Sequence, residues 1–215
     1  VGPFGTNVHY GNCRNPWDRE RSPGGSSSGS GSAVSARIVY GALGSDTGGS
    51  VRIPSAMCGV AGLKPTQTRI SRYGLMPLSY SFDCAGPLAR KVRDVARLTD
   101  VLSGYDPLDP TSSRRPAPGC EAACDLSIEG MRIGIPSSYF YDDLDPEVAR
   151  ALEAAQSALA GLGAEIVSTE VPSHDEMNLI WAAALAAEAA TIHRRWLRER
   201  PDDYGPLVRR RIEFG

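Results

Sequence analysis

Lysine is almost missing from this chain. Of its 23 basic residues only Lys64 and Lys91 are lysines, so any chemistry needing an amine has two candidates here. Histidine is equally scarce, with His9, His174 and His193. No apolar run reaches the roughly 18 residues that span a bilayer, and the first residues carry no signal-peptide pattern. Charge of neither sign dominates: 23 basic residues meet 25 acidic ones, for a net charge of −2. That balance points to neither nucleic acid nor a membrane surface as a partner. The late arginines Arg194, Arg195, Arg198, Arg200 and Arg209 to Arg211 are interleaved with acids and read as a solvated helix face. Cys13, Cys58, Cys84, Cys120 and Cys124 are odd in number and fit no zinc-ligand spacing. Reduced thiols in the cytoplasm are the expectation, with Cys58 and Cys84 packed among small and apolar neighbours.

What remains is a chain of 215 residues, 41% of them hydrophobic, enough to bury a full core. It opens at Val1 without an initiating Met and stops at Gly215 after an amphipathic segment, so it is expected to be a fragment. Residues 1–23 read as loop. A helix is predicted over 26–37, a short buried strand over 38–43, a brief helix over 50–58 interrupted by Pro54, and a buried strand over 59–63. Val92, Val95, Leu98, Val101 and Leu102 share one helical face that closes at Gly104. Residues 105–126 are a surface connection and 131–136 a strand. Asp145 and Pro146 supply N-cap and N1 for a helix whose stripe is Val148, Leu152, Ala155, Leu159 and Leu162, ending at Gly163. A strand over 164–171 and a helix over 176–200 follow. Strands alternating with helices indicate an α/β fold with a parallel or mixed sheet, and no internal repeat is present.

Two Ser-rich segments concentrate the candidate chemistry. Pro23-Gly-Gly-Ser-Ser-Ser-Gly-Ser30 runs straight into core-like sequence, which a flexible linker would not need. Within it, Gly25-Ser26-Ser27-Ser28-Gly29 fits a Gly-x-Ser-x-Gly elbow with Ser27 as nucleophile. The elbow requires a preceding buried strand and a partner His, and the charged stretch before Pro23 offers no such strand. In the second segment, Asp46-Thr47-Gly48-Gly49-Ser50, two glycines precede a Ser at a helix start. Consecutive N–H groups freed in this way can converge on an oxyanion. Asp46 and Arg52 bracket that turn and can pair across it. The plainer reading makes Ser50 an ordinary N-cap, which requires neither both glycines nor the second Ser cluster.

These residues closely resemble the signature of the amidase signature enzymes: Pro23 to Ser30, then Leu43-Gly-Ser-Asp-Thr-Gly-Gly-Ser-Val-Arg-Ile-Pro54, then Cys58-Gly-Val-Ala-Gly-Leu-Lys-Pro-Thr66. The likeness continues through Ser81-Phe-Asp-Cys-Ala-Gly-Pro87 and Val92-Arg-Asp94. It is dense over residues 7–112 and thinner from Met131 onward. The resemblance implies one partial amidase domain over 1–215, with a mixed, largely parallel twisted sheet covered by helices on both faces. The N-terminal and C-terminal parts of that fold would lie outside the chain.

The resemblance further implies a Ser-Ser-Lys triad acting on a small-molecule amide, without metal or organic cofactor. Ser50 matches the nucleophile, and Ser26 the bridging Ser, whose peptide bond is cis in the family. Thr47, Gly48, Gly49 and Ser50 match the oxyanion-hole backbone, with Ser27, Asp46 and Arg52 in support. The family's Lys would precede Val1; neither Lys64, in the Gly-Leu-Lys-Pro-Thr element, nor Lys91 takes its place. The A subunit of glutamyl-tRNA amidotransferase uses the same chemistry, but usually carries Gln at Ile53 and Ser-Leu-Asp-Gln-Ile-Gly-Pro at residues 81–87. Both departures favour a stand-alone amidase. Allophanate-type hydrolases and a non-catalytic scaffold are the remaining alternatives, and pairing with a second copy is left open. Trp181 and Trp196 are candidates for a pocket wall, although core packing explains each more simply.

Overall fold

The computed structural model describes residues 2, 4–172 and 174–215. They divide into two compact units, one formed by Val1–Cys124 with Ala183–Gly215 and the other by Asp125–Ala182.

The first unit is built on a three-stranded antiparallel sheet of order β1-β3-β2. Its strands are β1 (Gly41–Asp46), β2 (Ala61–Gly62) and β3 (Cys84–Ala89). Helices α1 (Ser28–Ser35), α2 (Arg52–Cys58) and α3 (Val92–Leu102) pack against this sheet or one another, and α4 (Cys120–Ala123) packs on α3. The innermost residues are Val34 of α1, Val51 just before α2 and Leu88 of β3, with Ala42 and Val60 against them. Because Val51 directly follows Ser50, burying it fixes where the candidate nucleophile sits.

α1 is made of Ser-Gly-Ser-Gly-Ser-Ala-Val-Ser, a composition with little intrinsic preference for helix. Tertiary packing supplies what propensity lacks. Ser28 Oγ donates to the Gly24 carbonyl at 2.6 Å, and Ser35 Oγ to that of Cys58 at 2.8 Å. Gly31 lets α1 approach α2: a Cβ there would lie 3.1 Å from Pro54 Cβ and 3.2 Å from its carbonyl oxygen. Pro54 does not interrupt α2, because in the first turn its missing N–H costs no helical bond.

One sequence expectation fails in this unit for a local reason, and one strand has no counterpart among the predicted elements. Ile38 to Tyr40 do not enter a buried strand, since Ile38 is 76% and Tyr40 89% exposed. Arg37 adopts a left-handed φ of 63°, and the Ile38 N–H is spent on the Ala33 carbonyl at 2.9 Å, closing α1. The strand therefore starts only at Gly41. β3, which contains Gly86-Pro87, is the strand without a predicted counterpart. Every residue of β3 is buried. The Pro87 carbonyl accepts from Leu63 N, so its ring nitrogen lies on the side of short β2, and the full ladder with β1 loses no donor.

The second unit holds β4 (Arg132–Pro136) and β5 (Glu165–Thr169), paired in parallel with Arg132 opposite Glu165 and joined through α5 (Pro146–Gly161). This is the crossover that parallel strands require. The Asp145 side chain accepts from Glu147 N at 2.8 Å, and Pro146 opens the helix. α6 (His174–Glu199) contributes to both units, and α7 (Pro206–Glu213) ends the first. The pairing throughout is mixed: antiparallel in the first unit, parallel in the second.

Replacing Gly31 by Val in the full-length protein should cost about 2–3 kcal/mol, the usual penalty for overfilling a tight contact. Urea midpoints measure it. An unchanged midpoint would mean that the Gly-Ser run behaves as a linker after all.

Candidate active site

At the end of β1 the Asp46 side chain is fully buried, and five donors converge on its two oxygens. Oδ1 accepts from Gly49 N at 2.7 Å and Arg52 Nη2 at 2.9 Å. Oδ2 accepts from Val51 N at 3.1 Å, Arg52 N at 3.4 Å and Arg52 Nε at 3.0 Å. Residues 47–52 are thus wound around one carboxylate. Burial alone would raise its pKa, but the hydrogen bond from Arg52 and those from the Gly49 and Val51 amides outweigh it and hold Asp46 below its ordinary value. The same contact raises the pKa of Arg52.

The two Ser segments meet through the backbone, with Ser27 N donating to the Ser50 carbonyl at 3.2 Å. The Gly25–Ser26 peptide bond is cis. Within the first segment most hydroxyls are spent on structure. Ser27 Oγ accepts from Ser45 N at 3.1 Å and donates to the Ser45 carbonyl at 3.2 Å, stitching the segment to β1. Ser28 holds Gly24 and Ser30 holds the Leu43 carbonyl, each at 2.6 Å. Ser26 and Ser50, both half-buried, are different: among the described residues no protein group hydrogen-bonds to either hydroxyl.

The Gly49 N–H donates to Asp46 and so ties the turn to that carboxylate. Gly49 also contributes conformation: its φ is 121°, and a Cβ there would lie 2.8 Å from Ile53 Cδ1. The Gly48 and Ser50 amides have no protein acceptor among the described residues. Thr47 is anchored by its side chain, whose Oγ1 donates to Asp83 Oδ1 at 2.5 Å. Ile53 lies between the segments: its Cγ2 is 3.0 Å from where a Gly24 Cβ would sit.

Of the histidines in the first unit, His193 bonds Tyr204 and the Pro77 carbonyl, and His9 the Asp203 carbonyl. His174 stacks on Tyr139 in the second unit. With Ser27 bound on both sides to Ser45 and no strand before Gly25 among the described residues, the elbow reading loses its support. Lys64 Nζ donates to the Pro65 carbonyl at 3.0 Å and lies 3.7 Å from Cys84 Sγ. Trp196 packs its edge against His193. No cluster of three or more metal-ligating side chains occurs among the described residues. Sequence reasoning gives Asp83 no role, although it lies in the Ser-Phe-Asp motif; its partner Ser79, and Glu188 to which Ser79 donates in turn, carry no local signal at all.

Asp46→Asn should destabilise the full-length protein by about 2–4 kcal/mol, because one face loses its acceptor while the amides stay buried. A carboxyl whose folded pKa is depressed stabilises above its unfolded value and loses that contribution as pH falls through the folded one. The gap between wild type and variant, read by thermal unfolding, should therefore be full at neutral pH and close only below about pH 4. A gap independent of pH would contradict the charge-based account.

Comparison with known proteins agrees with this geometry. The Amidase family model matches residues 1–214. The A subunit of the glutamyl-tRNA(Gln) amidotransferase of Geobacter sp. (strain M21) is 38% identical over 234 residues, covering 100% of this chain and 48% of that protein. Among solved structures, one from a vestigial protein complex bearing on the origins of an s-triazine catabolic enzyme superposes with a TM-score of 0.89 at 40% identity, covering 98% of this chain and 45% of that one. The corresponding amidotransferase chain of Thermotoga maritima gives a TM-score of 0.82 at 36% identity, covering 100% and 46%. The chain spans about half the length of the curated relatives it matches. It belongs to the amidase family, and its mixed α/β architecture is an incomplete amidase signature fold.

Proposed function

We propose that the full-length protein hydrolyses a carboxylic amide to carboxylate and ammonia through an acyl-enzyme on Ser50. The observation that carries this reading is the pair of hydroxyls, Ser26 and Ser50, without protein partners among the described residues, on two segments joined by the Ser27–Ser50 backbone bond. Ser50 Oγ attacks the amide carbon and passes its proton to Ser26, whose own proton moves to a neutral Lys contributed from outside the 215 residues. The Gly48 and Ser50 amides, with the backbone of Thr47 at the start of the turn, face the developing oxyanion. Asp46, Arg52, Gly49 and Ser27 hold those groups in place. Collapse of the intermediate breaks the C–N bond, and the relayed proton leaves with the amine. Water then attacks the acyl carbon and regenerates Ser50. The scheme uses no metal or organic cofactor.

The names of the relatives favour a second reading, in which the amide is glutamine and the ammonia serves a partner protein. Against it stands Ile53, whose side chain lies beside both Gly24 and Gly49 and presents no amide where the amidotransferase chain usually carries Gln. Ammonia release from glutamine compared with simple aliphatic and aromatic amides separates the two. Activity on simple amides supports the stand-alone enzyme, activity confined to glutamine supports the amidotransferase component, and activity on none supports a scaffold.

Ser50→Ala and Ser26→Ala should each cut amide turnover by about 10⁴-fold, as for other catalytic units whose members act together. Ser27→Ala should lose its bonds to Ser45, costing about 1–2 kcal/mol of stability, and change turnover far less. A dead Ser27→Ala enzyme beside a nearly normal Ser26→Ala one would overturn the assignment.

A further inference from the structure

Residues 77–83 form an irregular loop whose carbonyls are held by Gln67 and Arg72 and whose side chains reach both α6 and the turn that carries Ser50. At its far end Asp83, 4% exposed, accepts Thr47 Oγ1 on Oδ1, while Oδ2 accepts Leu78 N at 2.8 Å and Ser79 N at 3.0 Å. Asp83 N in turn donates to the Ser79 carbonyl at 3.0 Å. Ser79 is fully buried; its Oγ accepts Phe82 N at 3.2 Å and donates to the Glu188 carboxylate. Glu188 also takes the Ser81 hydroxyl, and Ser81 N at 3.1 Å. Further along α6, His193 Nε2 lies 2.9 Å from the Pro77 carbonyl. A carbonyl only accepts, so Nε2 carries the proton, and in the neutral ring Nδ1 takes the Tyr204 hydroxyl at 2.9 Å.

Glu188 therefore accepts from three groups of one loop, and that loop ends on the side chain of Thr47. Its carboxylate is held below the ordinary glutamate value, first by Ser79 and then by Ser81. The chain of contacts is short and contiguous: Glu188, Ser79, Asp83, Thr47, and then the turn wound on Asp46. A carboxylate 107 residues distant from Ser81 would not be needed for loop closure alone, since Asp83 already closes the loop on Leu78 and Ser79.

We infer that Glu188 is a positioning residue for the reaction, setting the Thr47–Ser50 turn through Ser79 and Asp83. This rests on the reading of Ser50 as nucleophile. Displacing an oxyanion donor by a fraction of an ångström weakens transition-state binding more than ground-state binding, so the effect falls on kcat rather than KM.

The test uses the full-length enzyme and the simple amide it hydrolyses fastest. Glu188→Ala should lower kcat about 10- to 100-fold with KM within about twofold, and Glu188→Gln, which keeps one acceptor oxygen, should recover part of the loss. Thr47→Val should lower kcat similarly, and the Glu188→Ala/Thr47→Val double variant should lose little more than the worse single one, as expected for members of one chain of contacts. Should Glu188→Ala fail to fold, Ser81→Ala removes one donor at the exposed end of the loop and is read in the same way. Normal kcat in the folded variant, a loss confined to KM, or full multiplication of the two single effects would each overturn the inference. Ser50→Ala run alongside separates the two claims: if it keeps its turnover, the nucleophile reading fails; if it is dead while the Glu188 variants are normal, only the positioning role fails.

Discussion

A single carboxylate organises this site. Asp46 sits at the last position of β1, entirely out of water, and such a charge is tolerable only when its hydrogen-bonding capacity is filled. Two amides of the following turn, the first amide of α2 and the Arg52 guanidinium fill it. The consequence is geometric. Because residues 47–52 must circle the carboxylate, Ser50 is held at the turn's crest and Val51 is driven into the core. Arg52 is roughly half in solvent, with its side chain 55% exposed, so the pair is neither a fully buried ion pair nor a screened surface one.

Core and site share residues rather than lying beside one another. Val34, Val51 and Leu88 come from α1, the Ser50 turn and β3, and their mutual packing brings the two Ser segments together. Small residues make this possible. Gly31 allows α1 to touch Pro54, and Ser27 exchanges two hydrogen bonds with the backbone of Ser45. The Gly-Ser composition that resembles a linker is the consequence of close packing. It also sorts the hydroxyls, since those of Ser27, Ser28 and Ser30 go to carbonyls while those of Ser26 and Ser50 do not.

Much of this was legible in the sequence wherever the signal was local. Asp145-Pro146 marks the start of α5, and Gly48-Gly49-Ser50 the turn that leads into α2, because caps and turns are written in neighbouring residues. The family followed from ordered motifs within residues 7–112. Other features depended on partners far along the chain. β3 carries no element prediction in the sequence and gains its strand pairing from distant β1. Ile38 to Tyr40 look like core until Arg37 turns left-handed and spends the Ile38 amide on α1. Nothing in the sequence says that the Asp46 carboxylate takes the Gly49 N–H. Glu188 has no signal, being an ordinary acidic residue on a long helix.

The central claim is that the turn wound on Asp46 presents Ser50 as the nucleophile. The most direct measurement is to treat the full-length enzyme with a fluorophosphonate, digest it, and locate the adduct by tandem mass spectrometry. The account predicts a single modified peptide with the phosphonyl group on Ser50, and protection of that site by excess amide substrate. An adduct on Ser27, or on any serine outside the turn while Ser50 stays unmodified, would contradict it.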